Sequence, residues 1–437
     1  MERIPIDHIE RHIGERMRIA GFVQTIRDQS RIAFLIVRDL SGSVQVVVAK
    51  ENKEAAEAVA ALSLESVVEV VGLAKEEKQA PGGYEVSVDS LTILSRADPE
   101  LPIPVVEKGR EETDPSLRLD WRWLDLRKPA HTLVFKVWTL MEAAFREYWL
   151  AHGYLEIHSP KLIATASESG AEVFEVKYFD RAAYLAQSPQ FYKQMAMAAG
   201  FEKVFEVGPV FRAEPSFTAR HATEFTGYDV ELSYIDSHER VMEEEERTIH
   251  YILEKVRDGY GDEIMKTYGR DLALPAVPFP RISLLDAKKI LAERGVRGEK
   301  SDDLSPEEEK KICEYARERY GHEFVFITEY PASARPFYHM RDPLRAHLTK
   351  SFDLLWDGLE VTTGAQREHR YEVLISQAEE KGMRIEPIQF YLNFFKYGCP
   401  PHGGYGMGPN RMLMNVLGLE SIRDAMFLYR GVRRLEP

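Results

Sequence analysis

The chain has 437 residues, of which 44% are hydrophobic and 29% are charged, and its formal net charge is −14. This length predicts more than one domain, and the composition excludes a disordered or collagen-like chain. The acidic balance excludes a protein that coats nucleic acid through bulk positive charge. Cys313 and Cys399 are too few for a disulfide framework or a cysteine-rich zinc site. A charged start and the lack of a long apolar run predict a cytosolic protein without a membrane segment.

The first hundred residues are rich in predicted strands. Short β-branched runs lie at 17–23, 33–37, 43–48, 66–73 and 84–94. An Ala- and Glu-rich stretch with helical spacing separates the third run from the fourth. Five strands with a helix in that place match the OB-fold, a small barrel that often binds single-stranded nucleic acid, although other small β-barrels share the pattern. With 12 basic and 17 acidic residues, this region is itself acidic.

The segment 98–115 contains four prolines and many charges, which predicts a linker. Beyond it, helix and strand signals alternate, and neither the dinucleotide-binding nor the P-loop fingerprint occurs. Long helices are predicted at 129–154 and 237–260, and the acidic run 243–246 predicts a solvated face on the second of them. A charged helical block at 285–322 is interpreted as an insertion.

The stretch 207–234 predicts two strands joined by a polar loop. Arg212 stands at the end of the first strand, and its planar guanidinium group can donate two hydrogen bonds to a phosphate at once. Phe225, Asp229 and Glu231 alternate along the second strand, so they share one face of a sheet. Phe225 can stack on a purine. Taken alone, this stretch favours a plain hairpin with surface charges.

Two later stretches add oxygen ligands and a glycine-rich turn. Asp353 and Glu360 flank a Trp-Asp-Gly turn, and Thr363 follows. Two carboxylates and a hydroxyl are hard oxygen ligands, which suit Mg²⁺. The glycines within 403–408 allow the backbone to approach a ligand closely, and Arg411 follows them where a strand is predicted to enter a helix.

In this order the stretches resemble the signature motifs of class II aminoacyl-tRNA synthetases. The extended chain around Pro160 resembles the first motif, which is usually a dimer interface. FRAE at 211–214 with RHATEF at 220–225 resembles the second motif, and GMGPNR at 406–411 resembles the third. Within the class, the similarity is to aspartyl-tRNA synthetases of the archaeal and eukaryotic type. The strings that carry it lie at 167–174, 187–194, 227–232 and 364–370.

The resemblance implies an α+β fold with two domains. An OB-fold anticodon-binding domain would occupy 1–103, a linker 104–130, and a class II catalytic domain 131–437, with a helical insertion at about 285–322. The catalytic domain would be an antiparallel sheet flanked by helices. The implied activity is aspartate–tRNA ligation, in which ATP and L-aspartate form aspartyl-adenylate and the aspartyl group passes to the 3′-terminal adenosine of tRNA. Mg²⁺ would accompany ATP, and the protein would be a homodimer.

The resemblance also implies residue roles. Arg212 and Arg411 would be the catalytic residues, with Arg212 on the α-phosphate and Arg411 stacked on the adenine opposite Phe225. The residues that would bind ATP are Arg212, Glu214, His221, Phe225, Glu360 and Arg411. The residues that would bind aspartate are Glu168, Gln190, Lys193, Asp229 and Arg367. The residues that would hold Mg²⁺ are Asp353, Glu360 and Thr363. Lys193 and Arg367 suit this substrate because an anionic side chain needs a cationic pocket.

In the barrel, Phe34 and Gln45 match positions with which the family reads the anticodon, and Glu85 is a further candidate for the same surface. Phe34 can stack on an extruded base, and Gln45 can hydrogen-bond to a base edge. Without the resemblance, Phe34 would be interpreted as a core residue. The choice of tRNA stays open: Pro81 resembles the relaxed form that also charges tRNA(Asn), whereas Gln24 matches neither form.

Some positions depart from the family pattern. Asn410 stands where an acidic residue is usual, and Pro215 where an acidic or polar one is common. Tyr429 replaces the usual Pro, and Gly431 replaces the usual Asp. These departures keep a non-catalytic tRNA-binding paralogue as an alternative. Asparaginyl-tRNA synthetase shares the architecture and is the nearest alternative, whereas an amide-forming ligase such as asparagine synthetase A would not need the barrel.

Overall fold

The computed structural model describes residues 1–106, 113–165 and 172–437, and it divides the chain into two units at Lys128. This division falls inside the segment predicted to be a linker. That segment also holds two short helices, α2 (Pro115–Asp120) and α3 (Arg122–Asp125), which the sequence did not suggest. Asp114 caps the first of them by accepting hydrogen bonds from the Ser116 and Leu117 amides at 2.9 and 3.2 Å, and Pro115 follows at its first position.

The first unit is built on a closed five-stranded barrel. Its elements are β1 Arg16–Asp28, β2 Ile32–Arg38, β3 Ser43–Ala49, α1 Lys53–Ala60, β4 Val67–Glu76, β5 Tyr84–Ser95, α2 Pro115–Asp120 and α3 Arg122–Asp125. The strands close in the order β1-β2-β3-β5-β4, with β3 and β5 parallel and the other pairs antiparallel. The five strands and the helix after the third confirm the predicted OB-fold.

The alternating sequence of the strands fills this barrel. On β2, Ala33, Leu35 and Val37 are buried in the interior, and valines at every second position of β3 pack against them. Burying one of these valine or leucine side chains stabilises the folded protein by roughly 1.5–3 kcal/mol relative to leaving it exposed. Because side chains alternate along a strand, the residues between these core positions face outward, and Phe34 is one of them.

The second unit is a large sheet covered by helices. Its elements are α4 Pro129–Ala151, β6 Leu155–Glu156, β7 Leu162–Ile163, β8 Glu175–Tyr178, β9 Arg181–Leu185, α5 Gln190–Ala198, β10 Lys203–Phe211, β11 Glu224–Ser233, α6 His238–Tyr268, β12 Arg281–Ser283, α7 Leu284–Glu293, α8 Pro306–Tyr320, β13 Phe324–Thr328, β14 Ser351–Trp356, β15 Leu359–Gln366, α9 Tyr371–Glu380, α10 Gln389–Lys396, β16 His402–Met407 and α11 Pro409–Leu417. Eight strands pair in the order β12-β13-β14-β15-β16-β11-β10-β6, and β7, β9 and β8 form a second small sheet.

The predicted antiparallel sheet is confirmed for the central six strands. The short edge strands β12 and β6 pair in parallel with β13 and β10, so the whole sheet is mixed. The strand β16 fits between β15 and β11 because it is rich in glycine: a Cβ atom on Gly404 would collide with the Val230 carbonyl oxygen and the Glu231 carboxylate. The predicted helical block 285–322 contains α7 and α8, which pack on β12 and β13.

The prediction that the acidic run 243–246 of α6 is solvated is wrong for three of its four residues, since only Glu243 keeps a side chain that is 46% exposed. Glu244, Glu245 and Glu246 are 3%, 0% and 4% exposed. The helix lies between α4 and the strands β15 and β16, so several sides of it are covered. Each carboxylate has a partner: Arg240 for Glu244, the Thr362 hydroxyl for Glu245, and the Phe279 amide for Glu246. Within the ranges that the structure describes, no helix is long and apolar enough to cross a membrane.

Candidate active site

A cavity of about 430 Å³ lies on the large sheet of the second unit. Its walls come from β11, β15 and β16, from α5 and α11, and from the loop between β10 and β11, which we call the hairpin loop (residues 212–223). The structure brings together eleven of the residues that the sequence predicts to form the site. These are Gln190, Lys193, Arg212, Glu214, His221, Phe225, Asp229, Glu360, Thr363, Arg367 and Arg411. Segments far apart in the chain therefore meet at one site.

Two arginines and an aromatic ring line one part of the cavity. Arg212 follows β10 directly, its amide donates to the Thr223 carbonyl at 2.8 Å, and its guanidinium carbon lies 5.6 Å from the centroid of the Phe225 ring. Arg411 lies in the first turn of α11 and donates to the Glu360 carbonyl oxygen at 2.9 Å. Two cations beside the N-terminus of a helix form an environment that favours bound phosphate.

His221 adds a ring to this part of the cavity without adding a positive charge. Burial lowers its pKa below 6.5, and the neighbouring charge of Arg411 lowers it further. Its Nδ1 atom lies 2.5 Å from the Thr218 hydroxyl. At neutral pH the ring is therefore neutral, and it can donate a hydrogen bond to a phosphate oxygen through the nitrogen that carries the proton.

A second part of the cavity is a buried network of opposite charges. The Lys193 ammonium lies 2.9 Å from Asp229 Oδ1 and 3.3 Å from Glu231 Oε2. Arg367 Nε donates to Glu231 Oε1 at 3.1 Å, and its terminal nitrogens reach the Gly404 carbonyl and His339. Burial opposes ionisation of Glu231, but the charges of Arg367 and Lys193 outweigh it and lower the pKa of this carboxyl. The network holds two cations and two carboxylates in fixed positions.

Two carboxylates and a hydroxyl lie on the neighbouring strands β14 and β15. Asp353 is paired with Thr363 across these strands, and the Thr363 hydroxyl donates to Glu360 Oε1 at 3.1 Å. Arg335 forms an ion pair with one oxygen of Asp353. The other oxygen, Oδ1, is buried and has no hydrogen-bond partner among the described residues. Burial raises the pKa of Glu360, and the negative charge of Asp353 raises it further.

These carboxylates fit a divalent cation. A positive charge would stabilise the unpartnered oxygen of Asp353. It would also stabilise the ionised form of Glu360, which the negative charge of Asp353 opposes. The described part of the chain contains no group of three or more His, Cys, Asp or Glu side chains suited to a metal ion. The donor set of two carboxylates and a hydroxyl matches Mg²⁺, which usually binds one or two carboxylates together with substrate phosphates.

Several residues in or directly behind the cavity wall have no role assigned from the sequence. Glu231 was recognised as sharing a face with Asp229, and this alternation was the signal that could have assigned it to the network. Arg335 and His339 come from the long connection between β13 and β14, which carries no motif. Tyr429 reaches the cavity from the chain beyond α11. The predicted aspartate ligand Glu168 lies outside the described residues.

The predicted anticodon residues lie on the outer surface of the barrel. Phe34 is half-buried, and it alternates with the core positions of β2. Gln45 and Glu85 are paired across the parallel strands β3 and β5, and the Gln45 amide donates to the Glu85 carboxylate at 2.9 Å. The surface thus presents an aromatic ring beside hydrogen-bonding groups, which is a suitable arrangement for stacking and reading an unpaired base.

The fold and this site define a class II aminoacyl-tRNA synthetase. Residues 114–430 match the family described as tRNA synthetases class II (D, K and N), and residues 17–94 match the OB-fold nucleic acid binding domain. The chain belongs to this class II family.

Two related proteins and one crystal structure are similar to this chain over nearly its whole length. The chain is 45% identical to the aspartate–tRNA(Asp/Asn) ligase of Aeropyrum pernix, over 97% of this chain and 96% of that protein. It is 41% identical to the aspartate–tRNA(Asp) ligase of Pyrococcus horikoshii, over 97% of both chains. The crystal structure of asparaginyl-tRNA synthetase from Pyrococcus horikoshii, complexed with asparaginyl-adenylate, covers 100% of both chains with a TM-score of 0.93 and 35% identity.

Proposed function

We propose that this protein is an aspartate–tRNA ligase, which activates L-aspartate with ATP and transfers it to tRNA. One observation carries the proposal: a single cavity holds the phosphate-suited pair Arg212 and Arg411 together with the buried cation Arg367. An adenylate-forming enzyme needs the first feature, and recognition of an anionic amino acid needs the second. The relatives in Aeropyrum and Pyrococcus, which are named as aspartate–tRNA ligases, support the same assignment.

In this proposal the arginine part of the cavity binds ATP. Arg212 contacts the α-phosphate, Arg411 stacks on the adenine opposite Phe225, Glu214 accepts a hydrogen bond from the adenine amino group, and His221 contacts the outer phosphates. The 5.6 Å separation of Arg212 from the Phe225 ring and the position of Arg411 at the start of α11 support these roles. Arg212 stabilises the charge that develops on the α-phosphate, and Arg411 fixes the adenine end of the nucleotide.

The buried network binds the amino acid. Arg367 and Lys193 neutralise the side-chain carboxylate of aspartate, while Asp229 faces its ammonium group and Gln190 orients it. Since the network already pairs its cations with Asp229 and Glu231, the substrate enters a preorganised site. We keep Glu168 as a further ligand of aspartate, as the resemblance implies.

Asp353, Glu360 and Thr363 would hold Mg²⁺ with ATP. When bound there, the ion would neutralise phosphate charge beside the two arginines. The unpartnered Oδ1 atom of Asp353 supports this assignment.

The chemistry requires no protein nucleophile. The aspartate α-carboxylate attacks the α-phosphorus of ATP in line, which gives aspartyl-adenylate and pyrophosphate. A ribose hydroxyl of the tRNA 3′-terminal adenosine then attacks the activated carbonyl, and AMP leaves. The cavity contributes by holding the reactants in position and by neutralising charge at the phosphorus.

Pyrophosphate exchange tests the amino acid and the site together. The wild-type protein is expected to exchange labelled pyrophosphate into ATP with aspartate and not with asparagine. Arg212→Ala is expected to lower kcat by about 10²–10³, since it removes a preorganised charge at the phosphate. Exchange with asparagine alone would instead support asparaginyl-tRNA synthetase, the class of the structure with the TM-score of 0.93. No exchange with either amino acid would support a non-catalytic paralogue.

We infer that the enzyme also charges tRNA(Asn). Pro81 begins a turn, Pro81–Gly83, that leads directly into β5 and Glu85, and the φ angles of 83° and 82° at Gly82 and Gly83 restrict this turn to glycine. Pro81 therefore shapes the edge of the proposed anticodon surface. Gln24 lies at an irregularity in the pairing of β1 with β2. The relative from Aeropyrum is named for both tRNAs.

Charging assays on purified tRNA(Asp) and tRNA(Asn) test this inference. Aspartylation of both is expected, and aspartylation of tRNA(Asp) alone would contradict relaxed specificity while leaving the ligase assignment intact.

We further propose that the enzyme is a cytoplasmic homodimer, with the chain around Pro160 at the interface. Sedimentation at several concentrations is expected to give twice the mass of one chain.

A further inference from the structure

The chain beyond α11 is bonded to the hairpin loop along much of its length. We call residues 421–434 the C-terminal segment. The contacts that join it to the loop include three hydrogen bonds and one cation–π contact. They are Ile422 N to Ala219 O at 2.8 Å, Thr223 N to Arg430 O at 3.0 Å, Tyr429 Oη to His221 O at 3.3 Å, and the Arg433 guanidinium carbon 5.4 Å from the Phe217 ring centroid. The loop that carries His221 is thus held from outside the hairpin.

Asn410 attaches the same segment to the helix that carries Arg411. Its side-chain Nδ2 donates to the Ala425 carbonyl oxygen at 2.8 Å, and the residue is buried. An acidic residue in this position could not make that contact, because an ionised carboxylate has no proton to donate and would face a carbonyl oxygen. The amide thus supplies this contact through its Nδ2 atom, while Arg411 donates to the Glu360 carbonyl oxygen and lies 3.6 Å from the Glu360 carboxylate.

Gly431 makes room for Tyr429. A Cβ atom at position 431 would lie 2.5 Å from the Tyr429 hydroxyl oxygen and 2.7 Å from its ring. The ring is also covered on one face by Arg423, whose guanidinium carbon lies 5.2 Å from its centroid. Asn410, Tyr429 and Gly431 each depart from the family pattern, and all three lie in this one contact.

We propose that Asn410 and Tyr429 are positioning residues for ATP. By fixing the C-terminal segment between α11 and the hairpin loop, they hold the backbone of His221 in the orientation that completes the phosphate-binding part of the cavity. The inference rests on the proposed function, because ATP is the ligand that the loop would contact. It predicts that weakening either attachment impairs ATP binding selectively and leaves the aspartate network unchanged.

Tyr429→Phe tests the inference with the smallest change. It removes the hydroxyl that donates to His221 O but keeps the ring that fits against Gly431 and Arg423. Loss of one hydrogen bond of this kind is expected to raise the KM for ATP in pyrophosphate exchange about three- to tenfold. The kcat and the KM for aspartate are expected to stay within about twofold of the wild-type values, because the lost hydrogen bond does not contact the aspartate network. Backbone amides of residues 213–223 are expected to exchange hydrogen faster.

The matched control is Tyr397→Phe, since Tyr397 is 86% exposed and lies outside the cavity lining. It is expected to behave as the wild type. Asn410→Asp is expected to show the same selective rise in the KM for ATP as Tyr429→Phe, because it removes the Nδ2 donor that bonds to the Ala425 carbonyl oxygen.

An unchanged KM for ATP together with unchanged amide exchange in Tyr429→Phe would overturn the inference. A parallel loss in kcat and in both KM values would do so as well, because it would indicate a general structural role. If the wild type showed no exchange with aspartate, the proposed function would fail, and the amide exchange of the loop would still decide whether Tyr429 holds it.

Discussion

At the residue scale, Arg367 is the cation on which the aspartate assignment depends. It donates to Glu231, to the Gly404 carbonyl and to His339, and it is buried. Burial lowers the pKa of His339 well below 6.5, with a further contribution from the charge of Arg367, so the histidine is neutral and accepts from the arginine. The orientation of the guanidinium group is therefore determined by three partners before any substrate binds.

Arg367→Lys keeps the charge but removes the planar set of donors. Because a lysine cannot satisfy these partners and a carboxylate together, the KM for aspartate is expected to rise about ten- to a hundredfold while the KM for ATP stays nearly constant. Pyrophosphate exchange at varied aspartate measures this effect. Arg370→Lys is the matched control, because Arg370 is largely exposed and pairs with Glu368. Equal rises in both KM values would contradict the role of Arg367.

Glu245 shows a different use of a buried carboxyl group. It accepts a hydrogen bond from the Thr362 hydroxyl, and its other oxygen, Oε2, has no hydrogen-bond partner in the described ranges. Burial raises its pKa from 4.5 to about 8. The folded protein therefore holds a proton that the unfolded chain releases above about pH 4.5, and this group's contribution to stability is full below that pH and is lost as the pH rises to about 8.

Glu245→Gln is expected to remove this pH dependence, because glutamine resembles the protonated acid. Relative to the wild type, the variant is expected to gain about 2 kcal/mol of unfolding free energy between pH 6 and pH 8. Urea unfolding of both proteins at the two pH values measures the difference. The exposed residue Glu263 offers a control, since Glu263→Gln is expected to follow the wild type. A constant difference between Glu245→Gln and the wild type would show that Glu245 is ionised in the folded protein.

At the scale of elements, helix α8 contacts the hairpin loop. Arg220 of the loop lies 2.6 Å from Glu309 of α8 and also donates to the Gly358 carbonyl at 2.9 Å. Arg220 lines the cavity. Burial raises the pKa of Glu309 to about 7, and the charge of Glu360 adds to this effect. Helix α8 thus supports the hairpin loop of the proposed ATP site. The ion pair between Arg220 and Glu309 strengthens as the pH rises through about 7, because Glu309 ionises there.

Glu309→Gln is expected to raise the KM for ATP about two- to fivefold at pH 8, where the wild-type carboxylate is ionised and pairs with Arg220. At pH 6 the wild-type group is protonated, so the two proteins are expected to have similar KM values. Exchange kinetics at both pH values provide the comparison. Glu314→Gln, on the same helix and paired with Lys311, is the matched control. A ratio of KM values that does not change with pH would show that this ion pair does not control the loop.

At the scale of the whole molecule, the net charge of −14 is compatible with tRNA as a partner only if recognition is local. The barrel is itself acidic, so it gains little from general attraction to phosphates. Its proposed anticodon surface depends instead on the ring of Phe34 and on the pair Gln45 and Glu85. The activation chemistry belongs to the second unit, which contains every residue that lines the cavity.

Phe34→Ala is therefore expected to separate the two activities. Loss of one stacking contact corresponds to about 1–3 kcal/mol, so the KM for tRNA in charging is expected to rise about five- to a hundredfold. Pyrophosphate exchange, which needs no tRNA, is expected to be unchanged. Leu94→Ala provides the control, since Leu94 is exposed at the far end of β5 from Glu85. Wild-type charging by Phe34→Ala would indicate that the anticodon binds elsewhere.

The sequence by itself determined the local elements and the order of the motifs. The barrel strands could be predicted because alternation of β-branched residues reports directly which face is buried. The hairpin at 207–234 and the helix that begins beside Arg411 could be predicted because turn residues and glycines act over a few positions. The motifs then identified most of the cavity, since each carries its chemistry in a short stretch.

Only the tertiary structure decided what covers each element. Glu244, Glu245 and Glu246 form a hydrophilic run in the sequence, yet they are buried because α4 and the sheet enclose α6. Arg335 reaches the cavity from a connection without a motif, and Tyr429 reaches it from a segment where the sequence indicated only a departure from the family pattern. Neither result could come from local pattern, because burial and the pairing of charges depend on residues that are distant in the chain and meet only when the protein packs.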